Sequence, residues 1–305
     1  MQACTHAPDR ECAGCRGGDP LFRGVRILAQ DPGGTWTDSV LKARLREIWS
    51  LGNYGAVATE LVHSLGPVLV GAAGIGSGDR VLDVAAGTGT AAVPAAETGA
   101  DVTALDLAPD LLNSGKRRAL AQGVHLTWAM ADAENLPYAD ASYDAVISCA
   151  GVMFAPHHRR AAAELVRVCR QGGRIALISW TPEGFIGNVF AALAPYSPPP
   201  PQGTQAPPLW GNHEHVESLL EDKVRNFRAE RRTVLIDRFA TPEEFLGFFK
   251  ANYGPVIAVY EQLGDTPDRA AALDAELLDL VDRFSARIAG IAMDWEYLLV
   301  TARRS

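Results

Sequence analysis

Short apolar runs alternate with helical stretches through the middle of the chain. Five runs rich in Val, Ile and Leu have the length and composition of buried strands. The predicted strands are centred near Val81, Val102, Leu126, Val146 and Ile175. The predicted helices between them lie near Ala91, Leu111 and Leu165. This alternation favours a doubly wound parallel sheet with right-handed crossovers, and a ligand site at the carboxyl ends of its strands.

The segments on either side of this core have patterns of their own. Residues 37–39 offer capping side chains to an amphipathic helix. Its apolar positions are Val40, Leu41, Leu45, Ile48 and Trp49. Residues 197–208 contain too many prolines for a helix or a central strand and predict an extended connector. Residues 266–288 predict a long amphipathic helix, and residues 233–237 and 295–301 predict the last two strands.

These patterns divide the chain into five segments. We predict a flexible leader at 1–35, lid helices at 36–78 and a ligand-binding α/β core at 79–184. A Pro-rich and helical lid insertion follows at 185–230. The last strands of the core, with further lid helices, occupy 231–305.

Composition narrows the class of protein. The chain has 305 residues, 48% of them hydrophobic, and a formal net charge of −8. An acidic balance argues against binding along nucleic-acid phosphates, which needs a basic stripe. No apolar run is as long as a membrane span, and the first twenty residues lack a hydrophobic signal core. We therefore predict a cytoplasmic protein with a small-molecule partner, no nucleic-acid or membrane partner, and a homodimer as the default oligomeric state.

The five cysteines predict neither a disulfide framework nor a metal site. Their number is odd, and disulfides are rare in the cytoplasm. Cys4, Cys12 and Cys15 form, with His6, a set of four potential zinc ligands in the leader. Their spacings match no common zinc module, so we expect a mobile leader without metal.

A small-residue turn and an acid mark the first predicted strand. Residues 80–90, RVLDVAAGTGT, are an apolar run followed by glycines that let a ligand approach the backbone closely. The pattern Gly87-x-Gly89-x-x-Ala92 also fits the dinucleotide fingerprint. However, Asp83 at the strand end would repel a pyrophosphate, so a cationic ligand fits better.

Two more acids follow the next two strands. Asp106 ends the strand near Val102, about twenty residues after the glycine turn. Asp132 begins the run Asp-Ala-Glu-Asn-Leu-Pro after the strand near Leu126. Acids in three successive strand-end loops are a much narrower signal than one glycine turn.

These residues resemble a known family. Residues 83–89, in the form DxAxGTG, are similar to the first motif of class I S-adenosylmethionine (SAM)-dependent methyltransferases. The run from Asp132 to Pro137 resembles the DAxxLP segment of the ubiquinone/menaquinone-methyltransferase-like group. The segment Trp49-x-x-Gly52-x-Tyr54 is similar to one that folds over the cofactor in related enzymes.

The resemblance implies a cofactor, a fold and a set of roles. Asp83 would lie near the methionyl ammonium of SAM, and Asp106 would bridge the ribose hydroxyls. Asp132 would accept a hydrogen bond from the adenine amino group. Tyr54 would touch the sulfonium or carboxylate end, or would simply pack helix on helix. The implied cofactor-binding residues are Tyr54, Asp83, Ala85, Gly87, Thr88, Gly89, Asp106, Leu107, Asp132, Ala133 and Cys149. The implied fold is a Rossmann-like seven-stranded sheet, with its last strand antiparallel between the fifth and sixth, plus N-terminal helices and an inserted helical lid.

The predicted catalytic residues are two candidates for a general base. His157 is the ionisable residue closest in sequence to the strand end where the methyl group is expected, although it could equally cap the following helix. Glu183 is the second candidate for an acceptor such as a phenol. Transfer from SAM needs chiefly alignment in a dry pocket, so a base is optional.

We predict methyl transfer to a small, hydrophobic or aromatic metabolite of specialised or quinone-like metabolism by in-line displacement. Transfer to O, N or C stays open. The alternatives are an NAD-dependent oxidoreductase, disfavoured by Asp83 and by the lack of a Tyr-x-x-x-Lys motif, and a SAM-binding regulatory protein without turnover.

Overall fold

The strands of the chain form one sheet. The computed structural model describes residues 37–286 and 290–305. Their strands are β1 (Arg80–Val84), β2 (Asp101–Asp106), β3 (Thr127–Met130), β4 (Tyr143–Cys149), β5 (Cys169–Trp180), β6 (Val224–Ile236) and β7 (Met293–Arg304). The strand order is β3-β2-β1-β4-β5-β7-β6. The predicted flexible leader at 1–35, with Cys4, His6, Cys12 and Cys15, lies outside the described residues.

The direction of the strands confirms the predicted fold class. β1 pairs in parallel with β2 and β4, β2 with β3, and β4 with β5. β7 is antiparallel to both β5 and β6, and it lies between them. The sheet is therefore seven-stranded and Rossmann-like, with only its last strand reversed.

Helices connect and cover these strands. The helices before the sheet are α1 (Asp38–Ser50), α2 (Tyr54–Glu60) and α3 (Leu65–Ala73). The helices between β1 and β5 are α4 (Ala92–Glu97), α5 (Pro109–Ala121) and α6 (His158–Val168). The later helices are α7 (Phe185–Leu193), α8 (His213–Leu220), α9 (Pro242–Asn252), α10 (Gly254–Leu263) and α11 (Pro267–Phe284). Four short 3₁₀ turns lie at Val152–Phe154, Ala194–Tyr196, Pro207–Gly211 and Glu221–Lys223.

Local sequence explains where several helices begin. Thr37 caps α1 by accepting a hydrogen bond from the Val40 N–H, and Thr241 caps α9 through the Glu244 N–H. Pro109 occupies the first turn of α5, where a missing N–H leaves no hydrogen bond unmade. These helix starts follow from capping side chains and proline, as the sequence predicts.

The bounds of several elements differ from the predicted ones. β6 begins at Val224, within the segment predicted as lid insertion, and continues through the predicted strand at 233–237. β5 begins at Cys169, six residues before the predicted centre at Ile175, and its pairing with β4 contains an irregularity between Tyr143 and Ala145. α11 ends at Phe284, before the predicted limit at 288.

Aromatic side chains of α9 pack in the core of the C-terminal half. Phe245 and Phe249 are almost fully buried, with ring centroids 4.3 Å apart. Both rings meet Trp295 of β7, which itself stacks on Phe185 at 5.2 Å. Because these rings bury large apolar areas against one another, they hold α7 and α9 to β7.

A histidine pair, one of its rings buried, joins α6 to α8. His158 Nδ1 and His215 Nε2 lie 2.9 Å apart, and His158 is fully buried. Burial, with smaller contributions from His215 and His157, lowers the pKa of His158 to about 3. The ring is therefore neutral at ordinary pH and acts as a hydrogen-bonding core residue.

Within the described residues, we find no single helix with both the length and the apolar composition needed to cross a membrane; only α2 and α3 taken together, at an angle of 70°, meet those two criteria.

A pair of glycines in α3 tests how tightly this helix packs. A Cβ on Gly66 would lie 1.8 Å from the carbonyl oxygen of Thr90, whereas a Cβ on Gly71 would meet nothing within 4 Å. We expect Gly66→Ala to lower the free energy of unfolding by about 1–3 kcal/mol through overpacking. Gly71→Ala, in the same helix, should instead raise it by up to about 1 kcal/mol. Urea denaturation measures both, and equal effects would contradict the close approach of α3 to residue 90.

Candidate functional site

A cavity opens at the carboxyl ends of β1, β2, β3 and β4. Its walls come from the turns that follow these four strands and from α1, α2 and α5. The residues that line it are Lys42, Leu45, Trp49, Tyr54, Ala85, Ala86, Gly87, Thr90, Leu105, Asp106, Leu107, Leu111, Ala131, Asp132, Ala133, Cys149, Ala150, Gly151, Phe154, Ala155 and Pro156. We call this the first cavity, and it lies where the strand pattern predicts a ligand.

The backbone at the base of the first cavity is strained and closely packed. Ala85 and Ala150 adopt φ values of 54° and 49°, a left-handed conformation that is uncommon for residues other than glycine. A Cβ on Gly151 would lie 2.0 Å from the Ala85 carbonyl oxygen. The turns after β1 and β4 therefore touch each other, and only small residues allow this contact. Such strain of order 1–3 kcal/mol per residue is typical of functional sites.

Asp106 joins two of the turns that surround the first cavity. Its Oδ2 accepts a hydrogen bond of 2.8 Å from the Gly87 N–H, and its Oδ1 accepts one of 2.8 Å from the Ala108 N–H. Burial raises the pKa of this carboxyl, and the backbone N–H groups partly offset the effect. The carboxylate is thus fixed in orientation while lone pairs remain for a ligand.

Asp83 lies beneath the cavity and does not line it. It is fully buried, and neither carboxyl oxygen has a partner of ordinary hydrogen-bond geometry among the described residues. Burial raises the pKa of Asp83 to about 8, the Ala92 N–H lowers it in part, and the Asp106 charge adds to the rise. A buried carboxyl of this kind favours either a proton or a nearby cation.

Asp132 takes part in an ion-pair network that ties α1 to the core. Lys42 Nζ lies 2.5 Å from Asp132 Oδ2, 2.8 Å from Glu134 Oε2 and 3.2 Å from Asp38 Oδ2. The Glu134 side chain is only 1% exposed. Burial opposes the charge of Lys42, but hydrogen bonds to Asp132 and Glu134 outweigh this effect and raise the pKa of the ammonium. The network therefore fastens α1 beside the first cavity.

The loop that carries Asp132 is itself held in place from α6. Glu164 Oε2 accepts a 2.6 Å hydrogen bond from the Leu136 N–H. Arg167 pairs with Glu164 and donates to the carbonyl oxygens of Leu136 and Tyr138. The third acidic loop is consequently positioned by charge-assisted hydrogen bonds.

His157 points toward Glu134. Its backbone N–H donates a hydrogen bond of 2.7 Å to Glu134 Oε1, and its Nδ1 lies 3.0 Å from Glu134 Oε2. The residue occupies the N-cap position of α6, but its side chain makes no capping hydrogen bond. Asp38, Glu134 and His157 have ligand atoms within 4.8 Å of one another. Lys42 already bonds both carboxylates, and its ammonium supplies the positive charge that they need.

An aromatic group closes one side of the first cavity. Trp49 meets Tyr54 at 5.5 Å and Phe154 at 4.6 Å between ring centroids, both edge to face. Tyr253 of the α9–α10 junction contacts Trp49 and Tyr54 from behind. Burial raises the pKa of the Tyr54 hydroxyl, with smaller contributions from Cys149 and Asp106, so the phenol stays neutral. This wall is largely aromatic, and its one ionisable group facing the cavity stays uncharged.

A second cavity of about 290 Å³ adjoins the first. Leu45, Trp49, Phe154 and Pro156 line both. The rest of its wall comes from α1, α7, α10 and the Pro-rich connector, including Pro198–Pro201. Most of these side chains are apolar, so the second cavity suits an organic molecule that reaches into the first.

The structure brings together most of the predicted site residues. Those that line the first cavity are Tyr54, Ala85, Gly87, Asp106, Leu107, Asp132, Ala133 and Cys149. Asp83, in β1, and Thr88 and Gly89, in the turn that follows it, lie outside the lining. His157 is next to Pro156 in sequence but does not line either cavity. Glu183 is exposed and pairs with Arg231 at 3.1 Å, outside both cavities.

Sequence reasoning missed Lys42 and the second cavity. Lys42 shares one helical face with Leu45 and Trp49, at spacings of three and four residues. A charged residue inside an apolar stripe was therefore a usable signal. No comparable signal marks the second cavity, because its walls come from segments distant in sequence.

Known proteins resemble this chain in sequence. A family model described as a methyltransferase domain matches residues 82–177, from β1 into β5. That range includes Asp83, Asp106 and Asp132. The uncharacterized protein Rv1403c of Mycobacterium tuberculosis is 47% identical over 259 residues, which cover 85% of this chain and 93% of that protein.

Two further similarities cover the core. The demethylmenaquinone methyltransferase of Renibacterium salmoninarum is 40% identical over 114 residues, 37% of this chain and 46% of that enzyme. The crystal structure of the YcgJ protein of Bacillus subtilis has a TM-score of 0.53 at 18% identity, and the match covers 79% of this chain and 98% of that one. The last comparison concerns the fold alone.

The buried carboxyl of Asp83 predicts a pH dependence of stability. Its pKa is about 8 in the folded chain against 3.8 as the ordinary value. Between these values the folded chain holds a proton that the unfolded chain has released, so the free energy of unfolding falls as pH rises. Asp83→Asn removes this titration. From about pH 4 to pH 8, the variant should lose less stability than the parent, by up to about 5 kcal/mol.

Urea denaturation of the ligand-free protein at several pH values measures this difference. The matched control is Asp101→Asn, an exposed acid at the start of the neighbouring strand β2. It should keep the pH slope of the parent. If Asp83→Asn keeps that slope as well, the buried carboxyl does not hold the proton.

The ion pair between Lys42 and Glu134 predicts coupled effects on stability. Lys42→Met leaves the buried Glu134 carboxylate without its ammonium, and we expect a loss of about 3 kcal/mol. The double variant Lys42→Met/Glu134→Gln should lose at least about 1 kcal/mol less than the sum of the single variants. Hydrogen exchange of the α1 amides should quicken in Lys42→Met.

The control for this cycle is Arg160→Gln, which breaks an exposed pair with Asp38. We expect it to change stability by less than about 1 kcal/mol. Strictly additive effects of Lys42→Met and Glu134→Gln would rule out the proposed attachment of α1 to the core.

Proposed function

Because the chain belongs to the class I SAM-dependent methyltransferases, we propose that it transfers the methyl group of SAM to a small hydrophobic or aromatic acceptor. In this proposal the first cavity holds SAM and the second cavity holds the acceptor. The acceptor belongs to specialised or quinone-like metabolism.

The observation that carries the proposal is the position of Asp106. This carboxylate faces the first cavity while two backbone N–H groups fix both of its oxygens. A fixed, buried acceptor suits paired hydroxyl groups such as those of ribose. The distance in sequence from the glycine turn to Asp106 supports the same role.

The remaining parts of SAM would meet Asp132, Ala85 and Gly87 of the first cavity and Asp83 beneath it. Asp132 would accept a hydrogen bond from the adenine amino group while its carboxylate also pairs with Lys42. Asp83 is a buried carboxyl without a partner of ordinary geometry, which suits the positive charge of the methionyl ammonium. Ala85 and Gly87 line the cavity with minimal side chains, so that the cofactor can approach the backbone closely.

SAM supplies a methyl group on a positively charged sulfur, and the acceptor's electron pair displaces that sulfur as a neutral thioether. The protein's contribution is alignment and exclusion of water. Trp49 and Phe154 form an apolar wall where the two cavities meet, and Tyr54 extends it into the first cavity. Holding donor and acceptor in line there can lower the barrier by several kcal/mol (roughly 7–11 at most).

A general base is needed only if the attacking atom must lose a proton. His157 lines neither cavity but directly follows Pro156, which lines both, and it stays our candidate. Glu134 holds its Nδ1 at 3.0 Å, which leaves Nε2 as the proton acceptor. Glu183 pairs with Arg231 outside both cavities, and we give it no step. A carbon or neutral amine acceptor would use neither.

Two measurements test the function itself. Isothermal titration calorimetry with SAM, its demethylated product and NAD should give binding of the first two only. Incubation with methyl-labelled SAM and a panel of aromatic and apolar acceptors should transfer label to an organic product. Binding of NAD in place of SAM would overturn the proposal, and SAM binding without transfer across the panel would favour a regulatory protein.

Asp106 provides the specific prediction. Asp106→Ala removes the charge-assisted hydrogen bonds proposed for the ribose, so the affinity for SAM should fall by about 1–3 kcal/mol, or roughly 5- to 150-fold in Kd. Calorimetry measures the change. Asp101→Ala, at the exposed end of the same strand, is the matched control and should leave Kd unchanged. An unaltered Kd for Asp106→Ala would remove the assignment.

A further inference from the structure

Three arginines lie opposite one another across the last three strands of the sheet. Arg174 of β5 is in register with Arg303 of β7, and Arg303 is in register with Arg225 of β6. Both pairings are antiparallel, so the opposed side chains share one face of the sheet, with Cβ atoms about 4.5–5.5 Å apart. Like charges in such positions repel each other and destabilise the sheet. An anion bound beside this row would offset the repulsion.

A fourth arginine reaches the same face through a bulge in β6. The register of β6 against β7 shifts between Arg225 and Arg228, and Asn226 has a left-handed φ of 54° there. Arg228 is opposite Thr301, two residues from Arg303 on β7, so it lies on the face of Arg303. Without the extra residue, two positions three apart on a strand would point to opposite faces. The bulge therefore gathers positive charge on one face.

One of the four guanidiniums is neutralised by a carboxylate. Arg174 forms an ion pair with Asp79. Its Nη1 also donates a hydrogen bond of 2.6 Å to the carbonyl oxygen of Gly74, at the end of α3. The charge of Arg174 and the exposed carbonyl at this helix end are thus both satisfied within the protein.

The other three guanidiniums keep their charge uncompensated. Arg303 Nη1 donates 3.1 Å to the Gly172 carbonyl oxygen, which carries no formal charge. Arg225 Nη2 also lies near Gly172, 3.7 Å from the position of a Cβ on that residue. Neither Arg225 nor Arg228 has an ion pair with an acid anywhere in 37–286 and 290–305. The positive charge of this face is therefore available to a ligand.

These arginines border a third cavity of about 490 Å³. Its polar lining comes from α3, β5, β6 and β7 and consists of Gly74, Arg174, Asn226, Arg228, Thr301 and Arg303. The described residues of the lining include no acid, and none of them lines the first or second cavity. Because Arg174 is in register with Ala145, near the start of β4, the third cavity lies at the amino ends of the parallel strands. It is thus at the edge of the sheet opposite to the first cavity.

The chemistry of the third cavity suits linked phosphate groups. A guanidinium presents a planar fork of N–H donors that matches the oxygens of a phosphate. The Thr301 hydroxyl and the Asn226 amide add neutral donors to the same lining. A ligand with several adjacent phosphates would contact more than one arginine at once. The formal net charge of −8 on the whole chain opposes a long polyanion, so a compact one fits better.

We propose that the third cavity binds a compact polyanion with two or more linked phosphate groups, as in an inorganic polyphosphate or a nucleotide. Arg303 holds the centre of this ligand, and Arg225 and Arg228 hold it from β6. The proposal goes beyond the proposed function, because it adds a second binding site that shares no residue with the two cavities assigned to SAM and the acceptor.

Calorimetry with tripolyphosphate tests the site in the full chain. S-adenosylhomocysteine is present throughout, so that the cavity proposed for SAM is filled. We expect tripolyphosphate to bind the parent protein at least about 10-fold more tightly than inorganic phosphate does, since it meets several guanidiniums at once. Added salt should weaken the binding, because the arginines are exposed.

The variants separate this site from charge in general. Arg303→Gln and Arg228→Gln should each raise the Kd for tripolyphosphate at least about fivefold. Arg303→Lys should recover part of the affinity, because it keeps the charge but loses the fork. The matched control is Arg231→Gln, which lies three residues from Arg228 on the opposite face of β6 and pairs with Glu183. It should leave this Kd unchanged.

Thermal unfolding tests the repulsion within the row. In the chain without tripolyphosphate, Arg225→Gln should raise the Tm, because it removes one of two like charges that face each other. Tripolyphosphate should raise the Tm of the parent protein more than that of this variant. An unchanged or lower Tm for Arg225→Gln without the ligand would contradict the repulsion from which the site is inferred.

Three results in calorimetry would overturn the proposal. One is failure of tripolyphosphate to bind the parent protein more tightly than inorganic phosphate. Another is a Kd that stays the same in both Arg303→Gln and Arg228→Gln, or that rises equally in Arg231→Gln. A third is tighter binding of a single-stranded oligonucleotide than of tripolyphosphate, which would make the ligand a nucleic acid.

Two further titrations identify the source of the phosphates and keep the two proposals apart. A lower Kd for ATP than for tripolyphosphate would assign a nucleotide, and an equal or higher one would assign the phosphate chain alone; either supports the site. Arg303→Gln should leave the Kd for SAM unchanged. If SAM does not bind the parent protein, the proposed function fails, whereas the third cavity is still judged by tripolyphosphate.

Discussion

The cofactor end of the molecule depends on one carboxylate held by two backbone N–H groups. Asp106 accepts one hydrogen bond from the Gly87 N–H, in the turn after β1, and one from the Ala108 N–H, at the start of α5. If this side chain were removed, both N–H groups would lose their partner in a buried place, which costs about 1–3 kcal/mol for each group. The same contact stabilises the tight turn whose left-handed residues keep the base of the cavity clear of side chains. The stability of this turn and the proposed binding of ribose therefore both depend on the two carboxylate oxygens of Asp106.

Charge, more than apolar burial, attaches the covering helix to this base. No residue of α1 is fully buried, so the helix gains little from packing alone. Lys42 connects it to Asp132 and Glu134, and Arg46 donates to the Leu107 carbonyl oxygen beside Asp106. The apolar side chains on the inner side of α1 face the two cavities, where ligands would complete their packing. A helix held in this way can open at moderate cost, which suits the entry of a cofactor and an acceptor.

The sequence predicts the sheet and the acids well because both follow from local rules. Strand periodicity and helix caps depend on neighbours in the chain, and three strand-end acids converge wherever parallel strands share an edge. The depth of Asp83 is not local: it depends on β2 and β4 covering β1 on both sides. The pairing of Lys42 with Glu134 joins residues 92 positions apart, and that of His158 with His215 joins residues 57 apart. Contacts of this kind leave no periodic pattern, so only the folded chain reveals them.

The run Pro198–Pro201 in the wall of the second cavity has a consequence for selectivity. Proline lacks an N–H and has a fixed φ, so this stretch presents carbonyl oxygens and ring carbons but no backbone donor. It also has little conformational freedom to lose when a ligand arrives. If the second cavity holds the methyl acceptor as proposed, a wall of this kind would not reshape itself around the ligand. It would select by outline, admitting molecules of matching shape and rejecting bulkier ones before any hydrogen bond is formed.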